Sequence, residues 1–284
     1  MNLILKKKIY SVNARRLQEN KYFYTVKIQT NLEKEKEEEE ICFYSCENKD
    51  CKLFYQVQKA GDAYEVVERK KNQPILLRDF PLIGSEKFHF PFFLNGFRFN
   101  PLETRNGLYL NGDDSNTEAK ENRIIIQNAI ELSIEFINWL QTKNINKRYL
   151  LAYSNIPEAP IIYDKKAIEW FIGQQKIWRK KLLKFEIVND GIDKFTINEL
   201  KLPKFRGKYN KEFFGLFQKM NITGGKLTSE NEAKYWYEIM EKDPLKEIYQ
   251  DIYKIDENSW GNITYTFTEE DCFKYISQKK MYFN

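Results

Sequence analysis

The rhythm of apolar and polar positions changes twice along the chain. Early apolar residues come in short runs rich in aromatic and β-branched side chains, Tyr22-Phe23-Tyr24-Thr25-Val26-Lys27-Ile28 and Ile41-Cys42-Phe43-Tyr44. That is the composition of strands. Leu53-Phe54-Tyr55-Gln56-Val57 and Tyr64-Glu65-Val66-Val67-Glu68 predict a further hairpin turning near Gly61-Asp62. Between the first two runs lies Glu33-Lys34-Glu35-Lys36-Glu37-Glu38-Glu39-Glu40. Its like charges repel and resist burial, so a solvated loop or hairpin tip is expected there.

Residues 80–112 follow neither period. Pro81, Gly84, Pro91, Gly96, Pro101, Gly107 and Gly112 interrupt an aromatic stretch, Phe88-His89-Phe90-Pro91-Phe92-Phe93. This spacing forbids a long helix and predicts an irregular segment held to the body by buried rings. Beyond it the period becomes helical. Ser115 and Glu118 have capping-box spacing, and Ile125, Ala129, Leu132, Phe136 and Leu140 then form one apolar face. Asp164 is placed to cap a second helix with Ile168, Phe171, Ile172, Trp178 and Leu182 inward. A strand pair is predicted at Phe185-Glu186-Ile187-Val188 and Phe195-Thr196-Ile197, with its turn at Asn189-Asp190-Gly191. Ser229 and Glu232 repeat the capping-box spacing, and Pro244 suits a helical first turn. The expected class is α+β: a β-rich segment over 1–112, including the 80–112 loop, and a mainly helical mixed segment over 113–284.

Composition sharpens this reading. Across 284 residues, 42% are hydrophobic and 15% aromatic, while Gly (12) and Pro (8) are scarce, which suits packed elements and excludes extensive disorder. No apolar run approaches the roughly 20 residues that cross a bilayer. The apolar residues of Met1-Asn2-Leu3-Ile4-Leu5-Lys6-Lys7-Lys8 precede the charges, the reverse of a secretory signal, so a cytoplasmic protein without a membrane partner is expected. A net charge of +5 from 46 basic and 41 acidic residues is a mixed surface. Its densest basic cluster is Trp178-Arg179-Lys180-Lys181, on a predicted helix.

Catalytic patterns are scarce in the chain. Cys42, Cys46 and Cys51 lack paired CxxC spacing, Cys272 is remote, and His89 is the lone histidine, so reduced structural thiols are expected and no metal site. His89 between Phe88 and Phe90 reads as a packed ring. Gly224-Gly225-Lys226 lacks the earlier glycine and the following Ser or Thr of a phosphate loop, which leaves a turn.

One compound motif carries more. Phe80-Pro81-Leu82-Ile83-Gly84-Ser85-Glu86-Lys87-Phe88-His89-Phe90-Pro91 is followed by Asn95, then Phe99-Asn100-Pro101-Leu102-Glu103-Thr104-Arg105-Asn106-Gly107-Leu108-Tyr109-Leu110. Glu121-Asn122, Leu183-Lys184-Phe185-Glu186-Ile187-Val188 and Leu202-Pro203 continue the pattern. This arrangement resembles bacterial proteins related to sacsin, whose ATPase belongs to the GHKL group with the ninety-kilodalton heat-shock chaperone. The likeness is clear over residues 75–140 and thinner to about 245. The group's ATP-binding elements are a helical Glu and Asn pair, D-x-G-x-G and a glycine-rich lid. None is present: Asp190-Gly191 continues as Ile192-Asp193-Lys194.

The resemblance therefore implies the portion that follows the ATP-binding domain. The chain would be a split product, a truncated copy or a standalone relative. It would bind no cofactor alone and meet ATP and Mg through a GHKL-type partner or missing domain, with a client protein as a further partner. No hydrolysis is expected of the chain by itself. By motif position, Arg105 is the candidate γ-phosphate contact, a fork that matches phosphate oxygens; pairing with Glu103 or capping of its loop are the alternatives. Asn95 and Glu103 are weaker candidates for holding the loop in shape. A different class of function, a nucleic-acid-binding or phage-defence effector without ATPase activity, would use Lys180, Lys181 and neighbouring aromatic rings.

Overall fold

A computed structural model of the chain describes residues 7–31, 36–70, 72–88, 90–112, 115–152, 163–200 and 202–204, then 228, 229, 232, 233, 235, 236 and 264–266. His89, Cys272, Pro244 and the Gly224-Gly225-Lys226 turn lie outside these residues. The chain divides into two compact units, Met1–Trp178 and Arg179–Asn284.

The first unit is built on four long antiparallel strands in sequence order: β1 (Lys7–Gln18), β2 (Lys21–Asn31), β3 (Lys36–Glu47) and β4 (Cys51–Ala60). Shorter strands complete a nine-stranded sheet among the described residues. The far edge of β4 pairs with both β5 (Ala63–Val66) and β8 (Phe93–Gly96). β6 (Leu76–Arg78) joins β8 in parallel, β7 (Phe80–Pro81) pairs β6, and β9 (Ile145–Asn146) pairs β5 in parallel. The β4–β5 hairpin turns at Gly61, whose φ of 61° a glycine adopts without strain.

Strand alternation sets the two faces of the sheet. On β4, Cys51, Leu53, Tyr55 and Val57 point inward and are buried, while Lys52, Phe54 and Gln56 between them are half-buried on the other face. Helix α1 (Thr117–Leu140) covers the inward face. Its ring contacts there are Phe136 on Tyr55 (5.7 Å) and Trp139 on Tyr44 (5.9 Å). The predicted stripe of Ile125, Ala129, Leu132, Phe136 and Leu140 is buried, and it is widened by Ile126, Ile130, Ile137 and two polar residues, Asn122 and Ser133.

Helix α2 (Lys165–Leu182) starts where expected, with Asp164 Oδ1 accepting from Ala167 N at 2.8 Å. Its buried face is more polar than its spacing predicts: Gln174, Gln175 and Trp178 are buried, and Ile168, Phe171 and Ile172 are only half-buried. Trp178 donates from Nε1 to Ser133 Oγ at 3.0 Å, and Gln175 donates to the Phe88 carbonyl at 3.3 Å. The Gln175 amide and the Trp178 indole are thus matched to partners, as burial requires. No helix among the described residues is long and apolar enough to cross a membrane.

Two expectations shift. The acidic run is not wholly loop: Lys36–Glu40 extend β3 opposite Lys27–Asn31. Glu38, Glu39 and Glu40 stay exposed there, with Lys27 Nζ at 3.7 Å from Glu38 and 3.9 Å from Glu40. Alternation sends successive glutamates to opposite faces, which separates their charges while the backbone remains paired. The N-cap of α1 is Asn116 rather than Ser115; its Oδ1 accepts from Ala119 N at 2.9 Å. Asparagine caps as well as serine, and the first helical residue is Thr117, so the cap falls one residue later.

In the second unit β10 (Val188–Asn189) and β11 (Lys194–Phe195) form a tight hairpin. It is shorter than the predicted pair because the Asp190 carboxylate accepts from Ile192 N (2.8 Å) and Asp193 N (2.7 Å) and draws the turn in. β12 (Leu202–Lys204) and β13 (Thr264–Thr266) pair in parallel. With strands filling the first unit's sheet and helices dominating afterwards, the fold is α+β.

Candidate functional site

The two halves of the compound motif meet in space. The first half turns at Asp79, which has φ of 61°; its N–H donates to Asn95 Oδ1 at 3.3 Å. Ser85, fully buried, then ties the segment down: its Oγ accepts from Ile75 N at 3.1 Å and Leu76 N at 3.0 Å. Next to it Gly84 adopts φ of 95° and lies so close to the second half that an added Cβ would stand 2.9 Å from the Asn106 carbonyl oxygen. Glycine is required there on both counts.

The second half is a small closed hairpin. Leu102 N donates to Gly107 O at 3.0 Å, Arg105 N to Leu102 O at 2.8 Å, and Pro101 bridges Leu108. Thr104 Oγ1 donates to Asn106 Oδ1 at 2.6 Å. Arg105 sits at the tip with φ of 55°, a left-handed conformation that an arginine keeps only where the surroundings enforce it. Its side chain is exposed, and the guanidinium lies 4.9 Å from the centroid of the Phe80 ring. No carboxylate partner for it stands among the described residues, and Glu103, also exposed, makes no ion pair with it.

Three side chains from outside the hairpin hold it. Asn122 of α1, fully buried, accepts at Oδ1 from Asn100 N (2.8 Å) and donates from Nδ2 to Asn100 O (2.8 Å) and Tyr109 O (2.9 Å). Arg123 donates to Leu110 O at 2.7 Å and Gly112 O at 2.8 Å. The buried Tyr163 hydroxyl accepts from Leu108 N at 3.0 Å; desolvation pushes that phenol up to about 12, so it stays neutral.

Below the hairpin the aromatic run is core. Phe90 stacks on Phe92 at 5.0 Å, and Trp178 meets Phe90 edge-on at 6.0 Å. Phe171 of α2 lies against Phe88 and Phe90 at 5.3 and 5.9 Å. These contacts make Phe88, Phe90 and Phe92 a close-packed base.

The structure therefore brings Arg105, Phe80 and the Asn95-supported turn into one region. Glu103 lies in the Arg105 hairpin, exposed and with no hydrogen-bond partner among the described residues. Sequence reasoning gave Asn122, Ser85 and Tyr163 no role in the site. Asn122 had a legible signal, a polar residue on the buried stripe of an amphipathic helix, while the contact made by Tyr163 spans 55 residues and leaves no local trace. The basic cluster does not present one face: Trp178 and Arg179 are buried, Lys181 is half-buried and Lys180 alone is exposed.

The thiols behave as structural groups. Cys42, Cys46 and Cys51 are free and buried, and burial pushes Cys46 and Cys51 up to about 12. No group of three potential metal ligands clusters among the described residues. Comparison of the chain with protein-family models, with curated proteins and with solved structures finds no match in any of the three.

Proposed function

We propose that this chain is the portion of a sacsin-like, GHKL-type ATPase that follows the ATP-binding domain, and that it couples the nucleotide state of such a domain to conformational change through Arg105. The ATP-binding domain belongs to a partner or to another part of the protein; this chain supplies the phosphate contact. One observation carries the reading: an exposed arginine, without a carboxylate partner among the described residues, held at positive φ on a braced hairpin tip. A surface arginine usually relaxes toward a nearby carboxylate or into solvent. One held by its backbone and by Phe80 is pre-organised for an incoming anion, so little entropy is lost when it binds. A planar guanidinium also suits the charge that spreads over phosphoryl oxygens during transfer.

The bracing by Asn122 and Arg123 supplies the coupling. Movement of the hairpin tip toward a phosphate pulls on two consecutive residues of α1, and α1 covers the sheet. The test is ATP hydrolysis by the chain combined with a sacsin-like ATP-binding domain. Arg105→Ala should lower kcat by on the order of a hundredfold or more with a small change in KM, as loss of an arginine that acts on transferring phosphate does. Arg105→Lys should recover only part of the rate. The chain alone should neither bind nor hydrolyse ATP. An unchanged kcat for Arg105→Ala in an active combination would remove Arg105 from the reaction.

A further inference from the structure

Strand β1 ends the sheet formed by the described residues. Among those residues it pairs only with β2 and nothing lies along its outer edge, and residues 9–16 are all exposed. Ile9, Tyr10 and Val12 are 44, 61 and 63% exposed, a high fraction for apolar side chains on a strand. Along an edge of this kind alternate N–H and C=O groups point outward without partners, a template for another strand. Proteins commonly blunt such edges by keeping them short or covered, or by placing charged side chains, Pro or a bulge in them. Here the strand runs 12 residues without proline, its charges stand at its ends and leave residues 9–14 uncharged, and its one irregularity falls at the far end, between Arg16 and Gln18.

Charge selects the occupant. β1 carries Lys7, Lys8, Arg15 and Arg16 and no acidic residue; on β2 behind it Lys21 is paired with Glu135 and Lys27 lies against Glu38 and Glu40 of β3, so the basic excess at this edge is that of β1 itself. The basic residues stand at the two ends of β1, and the apolar residues Ile9, Tyr10 and Val12 lie between them. Of the two arginines, Arg15 lies over the Phe23 ring at 5.8 Å and Arg16 donates to the carbonyls of Gln18 and Glu19. Neither contact neutralises a charge. A second copy of this strand is a poor occupant: antiparallel pairing about its middle sets Lys7 and Lys8 against Arg15 and Arg16, and parallel pairing sets each basic pair beside itself. Like charges directly opposite are destabilising in a sheet.

We infer that the β1 edge is a docking site for an extended segment of a partner protein, apolar at alternate positions in its middle and acidic at both ends. The added strand would take main-chain hydrogen bonds from β1. Its apolar residues would lie beside Tyr10, Val12 and Ala14, which continue the row formed on β2 by Ile28, Val26 and Tyr24. Its terminal carboxylates would face the basic pairs. Because both ends of β1 are basic, charge selects composition and leaves strand direction to the apolar contacts.

The test uses the full chain and a labelled probe peptide, Glu-Glu-Thr-Val-Thr-Ile-Thr-Glu-Glu, followed by fluorescence anisotropy. Binding is expected, weakening roughly tenfold between low and high salt as the exposed charges are screened. The same peptide with Lys in place of Glu should bind at least about tenfold more weakly. The combined variant Lys7→Glu, Lys8→Glu, Arg15→Glu, which spares the Arg16 contacts, should reverse that preference. Methylating alternate peptide amides should abolish binding, since a methylated nitrogen cannot donate to the ladder. Equal binding of the Glu and Lys peptides, undiminished binding of the methylated peptide, or no binding at millimolar concentration would each overturn the proposal. So would a dimer in sedimentation that the triple variant disperses, because the edge would then belong to a second copy. None of these readouts involves Arg105, so this inference and the phosphate-sensing role stand or fall separately.

Discussion

Asn122 is the residue whose removal most directly tests how the Arg105 hairpin is held. It sits fully buried in α1 and meets the second half of the motif through three hydrogen bonds of 2.8 to 2.9 Å. Asn122→Ala leaves the Asn100 N–H and the carbonyls of Asn100 and Tyr109 without these partners. A buried orphan costs about 1–3 kcal/mol. Asn100 and Tyr109 are half-buried, so water repairs part of the loss, and a total of roughly 2–4 kcal/mol is expected. Urea unfolding of the first unit, followed by near-ultraviolet circular dichroism, measures the global part. Amide exchange at residues 99–110 measures the local part, which should rise even if the core transition moves little. Asn122→Asp separates the donor role from the acceptor role: it keeps an acceptor for Asn100 N but sets oxygen against two carbonyls. It should be at least as harmful at neutral pH and partly recover in acid, where the protonated carboxyl regains one donor. A loss below about 1 kcal/mol for Asn122→Ala, with unchanged exchange at 99–110, would refute the claim that this side chain braces the hairpin. Arg105→Ala, by contrast, should leave stability unchanged, so the two variants distinguish the brace from the group it presents.

Three further outcomes follow from the packing. Gly96→Ala would place a methyl within the Phe99 ring, which is fully buried; displacing that ring should destabilise the first unit by about 1–3 kcal/mol, read as a lowered Tm. Cys46 and Cys51, held near 12 by burial, should be alkylated about a thousandfold more slowly than a free thiol at pH 8, by mass-spectrometric peptide mapping, and react promptly once urea unfolds the sheet. In the second unit Glu232 accepts from Asn189 N, Thr228 Oγ1 and Trp236 Nε1, yet desolvation outweighs these bonds and raises its carboxyl to about 7. A raised folded-state value favours the protonated form. The stabilisation is therefore complete below about pH 4.5 and lost as pH rises through about 7, a change of roughly 3 kcal/mol. Glu232→Gln should flatten that pH dependence of urea unfolding, and persistence of the slope would locate it in another group.

How far the sequence disclosed this arrangement depends on the range of each interaction. Local chemistry was legible. The Asp164 cap, the Gly61 turn and the buried stripe of α1 each depend on residues within a few positions of one another, so spacing alone identifies them. β1 escaped because its pattern carries no burial signal: both faces of residues 9–16 are exposed, leaving no inward period to read. The acidic run misled for a related reason, since charge opposes burial but does not oppose pairing on a solvated ribbon. The hairpin at 101–108 lies between these cases. Its prolines and glycines announced an irregular segment, and its motif singled out Arg105, but bracing by Asn122 and Tyr163 crosses 22 and 55 residues. What could have been read was the anomaly on the brace itself. An asparagine at a buried helical position costs several kcal/mol unless its amide is satisfied. No residue of its own helix supplied three fitting partners, so the partners had to come from a segment without regular backbone pairing. The nearest such segment is the one immediately before α1, which is where they are.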